Sequence, residues 1–319
     1  MISVFEKLTV KQIILFSEII RTSTLLDIEF IQTKYLRDAP NFEETISFLL
    51  DLRLIEISNA KIIPLSTYRQ FLIKLSQRVN RHIIIRDFFV NRLLASPIYR
   101  DYAIEFLARF HFIDGKLEFA PNSIHKTDYS GLRNFLMELG FIKLDATRFV
   151  YVIVEPQLLN PLEYFLVGRM SPEAFQHMQE KNNDVGKAAE LAVLEYEKKR
   201  LHRFPDLVEK IEHIAVKAVN AGYDIRSYEE VNLVVPKERL IEVKAVSQWD
   251  FLFHWTRNEI EKAKDSKDRY YLYLVPSMEV NRFDINSMKI IQNPFNSILG
   301  NQSVWTFEYE RIICFLNQN

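Results

Sequence analysis

The chain has 319 residues, 48% of them hydrophobic and 26% charged, which predicts two or three soluble globular domains with cores of their own. A formal net charge of −1 argues against a protein that coats nucleic acid indiscriminately, and a single cysteine excludes a disulfide-built scaffold. The first residues lack a basic stretch followed by an apolar one and the apolar runs are short, so a cytoplasmic protein with no membrane association is expected.

In chain order, Thr9 to Ile20 and Asp27 to Leu36 carry apolar residues at helical spacing, with Thr9 and Asp27 placed as N-caps. Asn41 to Asp51 predicts a third helix. The run from Phe48 to Ile63 then matches Phe135 to Val150 in apolar pattern, 87 residues further on. Each copy reads as the end of an amphipathic helix, a strand, a tight polar turn and a second strand. Three helices and a hairpin make a winged helix, and the second copy follows the helical stretch Tyr99 to Phe110. Tandem winged-helix-like domains are therefore expected at 1–66 and 99–155, with a basic helical connector at 67–98.

The polar face of the first copy's third helix carries Glu43, Glu44 and Asp51, which phosphates would repel. A protein partner suits that face better. The second copy offers Arg133 among mixed charges. Between Tyr68 and Arg100 the only acid is Asp87, so Arg78, Arg81, Arg86 and Arg92 are the candidates for contact with a nucleic-acid backbone; the plain rival is a solvated helix face.

Residues 156–183, with Pro156, Pro161, Gly168 and Pro172, read as a linker containing a short helix. The remainder, 184–319, has a different grammar. A helix over Val185 to Arg200 precedes strands at Val208 to Val216, Tyr223 to Tyr228, around Glu242, and Phe251 to Trp255. A polar helix from Asn258 to Lys267, a strand at Tyr270 to Val275 and a strand-rich tail from Val304 to Leu316 complete an α/β core. Cys314, inside that tail, reads as a core residue.

The chemistry concentrates in Arg239 to Val246. In an extended segment Leu240, Glu242, Lys244 and Val246 share one face, so an acid and a base project together from an otherwise apolar strand. Burying either charge alone is expensive, which predicts partners or a metal for both. Asp224, behind a Gly222 turn, is the obvious further ligand. Two carboxylates with waters and a substrate phosphate suit Mg²⁺, with Mn²⁺ as a substitute, and Lys244 would hold the attacking water or offset phosphate charge. Glu190 shares a helical face with Val193 and Leu194 and so turns toward the core, where a buried acid points to function and a hydrogen bond to a strand backbone is the rival reading. Asn258 and Glu259 begin the polar helix as residues supporting the site or facing DNA; capping by Asn258 is the plainer reading. His202, His213 and His254 have no ligand spacing and read as structural. A second Glu-x-Lys, Glu197 to Lys199, lies in a polar helix and reads as solvated.

The series Asp184-Val-Gly-Lys-Ala-Ala-Glu190, Gly222-Tyr-Asp-Ile-Arg-Ser227, Leu240-Ile-Glu-Val-Lys-Ala245, Trp255-Thr-Arg-Asn-Glu259 and Tyr270-Tyr-Leu-Tyr-Leu-Val275 resembles the C-terminal domain of plant NO VEIN proteins. That domain also occurs in bacterial restriction and phage-defence proteins and looks like a branch of the PD-(D/E)xK nuclease superfamily. The resemblance covers roughly 180 to 280. It implies a restriction-endonuclease-like core with a mixed sheet, in which Asp224, Glu242 and Lys244 fill the catalytic positions and Glu190 is an accessory acid. Tyr223 stands where that motif has proline.

The overall expectation is an α+β protein acting as a Mg²⁺-dependent endonuclease on double-stranded DNA, in bacterial restriction or phage defence. A homodimer would let a single-site domain cut both strands. The alternative is a DNA- or protein-binding regulator that retains a nuclease fold without using it. The residues do not separate DNA from RNA as substrate.

Overall fold

The computed structural model describes residues 4–76, 80–121, 129–156, 158–159, 171–218, 220–230, 236–249, 251–279, 282–301 and 305. Helices and strands are mixed, and the chain divides into two compact units, 1–180 and 181–319.

In the first unit, α1 (Val4–Lys7), α2 (Val10–Thr22), α3 (Ile28–Leu36) and α4 (Phe42–Asp51) lead into the hairpin β1 (Ile55–Ser58) and β2 (Lys61–Pro64). Thr9 caps α2 in a reciprocal box: its hydroxyl accepts from the Gln12 amide at 3.2 Å and its own amide donates to the Gln12 side chain at 2.7 Å. Asp27 accepts from the Glu29 and Phe30 amides at the start of α3. Next come α5 (Ser66–Leu75), α6 (Arg81–Ala95) and α7 (Arg100–Leu107), then β3 (His111–Ile113) and β4 (Lys116–Phe119), α8 (Ser130–Glu138), β5 (Ile142–Asp145) and β6 (Val150–Ile153). The last four strands form an antiparallel sheet in the order β3-β4-β6-β5.

The sequence repeat maps onto matching backbone bonds. Leu52 donates to Phe48 and Leu54 to Leu49 in the first copy; Leu139 donates to Phe135 and Phe141 to Leu136 in the second. The left-handed residue between helix and strand is Arg53 in one and Gly140 in the other. The copies diverge at the hairpin tip, where Asn59 and Ala60 alone close the first loop, with φ of 51° and 56°, and residues 146–149 close the second.

The stretch expected as a connector is helical and supplies core. Phe71, Leu75, Phe88, Phe89 and Leu93 are buried, and the Phe71 and Phe88 rings stack at 4.1 Å. Helices α1 and α8 also touch closely: a Cβ on Gly131 would sit 2.7 Å from the Phe5 carbonyl carbon, and Glu138 accepts from the Val10 amide at 2.8 Å.

The expected linker is shorter than predicted, because helix α9 (Pro172–Arg200) already starts at Pro172. The second unit continues with α10 (Pro205–Val208), β7 (Glu212–His213), β8 (Ile225–Tyr228), β9 (Glu238–Ser247), α11 (Arg257–Ser266), β10 (Tyr270–Glu279), β11 (Arg282–Phe283), β12 (Lys289–Gln292) and a π-helical turn at Phe295–Leu299. Two expectations are corrected here. The strand predicted over Val208 to Val216 is two residues long, since Pro205 opens a helical turn instead. Phe251 to Trp255 is not a strand, for Phe251 has φ of 50° and breaks the extended run. The predicted tail strands and Cys314 lie outside the described residues, Trp305 apart.

The sheet runs β11-β10-β9-β8-β7, with β12 also on β10; β9 and β10 are parallel and the other pairs antiparallel. Its two faces bury different partners. Ile225, Ile241, Val243, Tyr271 and Tyr273 cover Ala189 and Val193 of α9. Leu240 and Tyr270 pack with Ala263 of α11, and Val246, Leu272 and Leu274 pack with Ile298. Alternation along β9 therefore assigns Glu242 and Lys244 to the α11 face.

Candidate active site

Asp224 sits immediately before β8, where the turn behind it is fixed on three sides. Gly222 has φ of +75°, and a Cβ there would lie 2.9 Å from Lys262 Cβ. Tyr270 donates its hydroxyl to the Gly222 carbonyl at 2.8 Å, and Asn258 Nδ2 donates to the Asn220 carbonyl at 3.2 Å. The Asp224 amide donates to the Ile241 carbonyl, and its own carbonyl accepts from Ile214 and Ala215. Its side-chain Oδ2 accepts from the Val243 amide at 2.8 Å. The carboxylate thus satisfies a β9 donor at the point where β8 has not yet begun.

Glu242 is 4% exposed. Lys244 Nζ donates to its Oε1 at 2.7 Å and to Glu259 Oε2 at 2.8 Å. Glu259 Oε2 also accepts from the Thr256 amide at 3.1 Å, while the Thr256 hydroxyl accepts from the Glu259 amide. Thr256, not Asn258, is thus the N-cap of α11, and Glu259 closes the capping box. One carboxylate both caps a helix and holds the lysine.

The electrostatics follow from crowding acids in a dry place. Burial pushes the Asp224 carboxyl up to about 7; the Val243 amide and Lys244 oppose this and Glu190 and Glu259 add to it. Burial also raises Glu242 well above the usual carboxylate range, Lys244 working against the shift and Asp224 and Glu259 with it. Burial would lower the Lys244 ammonium, but Glu242 and Glu259 outweigh it and the net shift is upward. The Tyr270 phenol is raised by burial and then by Glu242, Glu259 and Asp224. Lys244 is thus held as a cation near Asp224 and Glu242, two carboxyls whose neutral forms burial favours.

Glu190 faces the sheet from α9, and its Oε2 meets His213 Nε2 at 2.5 Å. Its partner is thus a side chain rather than a strand backbone. His213, read as merely structural in the sequence, stands next to the Asp224 support.

A second buried cluster corrects the solvated reading of Glu197, which is 0% exposed. It accepts from Arg200, from the Ser227 hydroxyl at 2.6 Å and from the Tyr273 hydroxyl at 2.8 Å. Arg239 donates to Tyr273 and to Glu229 and lies over the Tyr271 ring. The signal was present: Glu190, Val193 and Glu197 fall at helical spacing on one stripe.

The candidate backbone-contacting arginines among the described residues have partners within the first unit. Arg81 pairs with Glu18, Arg86 with Asp87 and Glu155, and Arg92 donates to the Leu52 carbonyl. Arg133 lies over Tyr151 and bonds Asn134; Arg78 is outside the described residues. The acids of α4 are also engaged, Glu44 with Lys7 and Asp51 with the Tyr99 hydroxyl.

Among the described residues no three His, Cys, Asp or Glu side chains form a metal cage. The donor set to weigh is Asp224 with Glu242, two hard oxygen donors of the kind Mg²⁺ takes alongside water and phosphate. It fits a divalent cation in charge, since Lys244 stands against two acids that burial disfavours as anions.

Residues 189–288 match the family model described as Protein NO VEIN, C-terminal. No curated protein and no solved structure matches the chain. Among the described residues, no helix is long and apolar enough to cross a membrane.

Proposed function

We propose that this chain is a metal-dependent nuclease of the PD-(D/E)xK type that hydrolyses phosphodiester bonds in double-stranded DNA, in a restriction or phage-defence setting. The observation that carries the reading is that the turn before β8 sets the Asp224 carboxylate on the Val243 amide, between Glu242 and Lys244 in β9, so that two raised-pKa carboxyls and a buried ammonium meet one short stretch of strand. The mixed sheet, with α9 on one face and α11 on the other, is the arrangement expected of a restriction-endonuclease-like core.

The division of labour follows from the bonds. Asp224 and Glu242 would hold Mg²⁺ or Mn²⁺, each through an oxygen not used by Val243 or Lys244. The bound cation would lower the pKa of water and offset phosphate charge. Lys244, anchored by Glu242 and Glu259, would offer its third N–H to an anionic phosphate oxygen or to the attacking water. The helix and hairpin repeats of the first unit suit winged-helix-like modules. The α4 acids are engaged within that unit, so base reading by α4 is not proposed, and the arginines that would meet a DNA backbone would have to leave the partners they have there.

The test is nicking of plasmid and phage DNA, modified and unmodified, by the full chain in Mg²⁺ and Mn²⁺. Asp224→Ala and Lys244→Ala should abolish cutting with the circular dichroism spectrum retained. Equal cutting by the variants would misassign the site. The competing reading, a regulator with a silent nuclease fold, draws on the closed Glu242–Lys244–Glu259 network. It predicts no Mn²⁺ binding by calorimetry even with DNA present.

A further inference from the structure

We propose that His213 is a positioning residue of this site, its imidazole fixing the Glu190 carboxylate of α9 while the two amides that follow it hold the Asp224 backbone. The inference rests on the nuclease reading of the same site and deepens it.

The geometry begins with a very short strand. β7 pairs with β8 through Glu212 and His213 only, with His213 opposite Ile225. The chain then turns at once. Ile214 N donates to the Asp224 carbonyl at 2.7 Å and Ala215 N to the same oxygen at 3.1 Å. Lys217 and Ala218 donate back to Ile214, and Lys217 Nζ pairs with Glu212 at 2.8 Å, so the turn is closed on itself. The same few residues that grip the Asp224 backbone present His213 to α9.

His213 meets Glu190 at 2.5 Å with side-chain exposures of 14% and 15%, a half-sheltered pair and not a solvent contact. Glu190 lies one turn from the buried Val193 and two turns from the buried Glu197 on the same stripe of α9. Glu197 pins that helix to β8 and β10 through Ser227 and Tyr273, which sets the height at which Glu190 arrives. Glu190 in turn acts on Asp224 electrostatically. An imidazole that orients a carboxylate near a reacting group contributes about 10- to 100-fold when it supports a metal site.

The experiment uses the full chain. With Mn²⁺ and plasmid DNA, His213→Ala and Glu190→Gln should each lower kcat by about tenfold with KM unchanged, and His213→Gln, which keeps an N–H donor, should recover most of it. The double variant His213→Ala/Glu190→Gln should be no slower than Glu190→Gln alone, because His213 acts through that carboxylate. Multiplying losses, or no loss, overturn the proposal. The second readout needs no activity. In ¹⁵N-histidine-labelled protein the His213 ring signals, assigned by their disappearance in His213→Ala, should move in Glu190→Gln and in Asp224→Asn. Signals indifferent to both variants overturn the positioning role, whereas signals that move in a chain inert in every metal would refute only the nuclease reading.

Discussion

Lys244 on β9 and Glu259 on α11 meet at 2.8 Å, so the ammonium that bonds Glu242 is also held from a second element. The pair sits at 18% and 15% side-chain exposure, where ionic contacts are screened far less than on the surface. The consequences can be measured one by one.

Removing the ammonium should cost stability as well as activity. Lys244→Ala leaves Glu242 buried without its cation, a change worth roughly 3–5 kcal/mol for a buried pair, partly relieved because Glu242 can take a proton. Urea unfolding should show the larger loss at pH 8 than at pH 5. A loss independent of pH would mean Glu242 is not charged in the folded protein.

Glu259 has two duties that a pair of variants separates. Glu259→Gln keeps the capping geometry and an acceptor for Lys244, whereas Glu259→Ala loses both and should cost about 1 kcal/mol from the cap alone. Cutting should fall much further in the alanine variant. Equal activity of the two would show that Lys244 needs no support from α11.

Asp224 makes stability fall as pH rises. Its folded-state carboxyl titrates near 7 against an ordinary value of 3.8, so between those values the folded chain binds more protons than the unfolded one. The resulting penalty is absent below 3.8, complete above about 7, and on the order of 4 kcal/mol at most. Asp224→Asn, whose amide oxygen can still accept from Val243, should flatten the fall in urea midpoint between pH 5 and 8. An unchanged slope would place the titration elsewhere.

Two glycines predict opposite signs. Gly222→Ala forces a side chain into positive φ and against Lys262, and should destabilise by more than about 1 kcal/mol. Gly186, inside α9, has nothing within 4 Å of an added Cβ, so Gly186→Ala should stabilise by roughly 0.5–1 kcal/mol. Thermal unfolding of both variants decides the point.

What the sequence made legible was local or periodic. The Thr9 and Asp27 caps, both repeat hairpins, the shared face of Glu242 and Lys244, and the glycine turn before Asp224 all follow from spacing. The β3–β4 hairpin is not among the expected elements, although Asp114-Gly115 at its tip is a two-residue turn signal of the same local kind. What stayed hidden depends on partners far along the chain. Glu197 looked solvated because Lys198, Lys199 and Arg200 surround it, yet Ser227 and Tyr273 receive it. His213 has no ligand spacing because its partner lies on α9. The alternating aromatics of Phe251 to Trp255 imitate a strand, but they pack as an irregular segment against Val246, Leu272 and Leu274. Asn258 lost the cap to Thr256 because the box needs its acid three residues on, and Glu259 is that acid.

The brevity of β7 bears on how copies of this chain could associate. A rim only two residues long presents too few unpaired backbone groups to template a foreign strand, which guards against ribbon-like stacking at that border. Any twofold partner recruited there must be recognised by side chains, and variants that lengthen this rim should be the ones that aggregate.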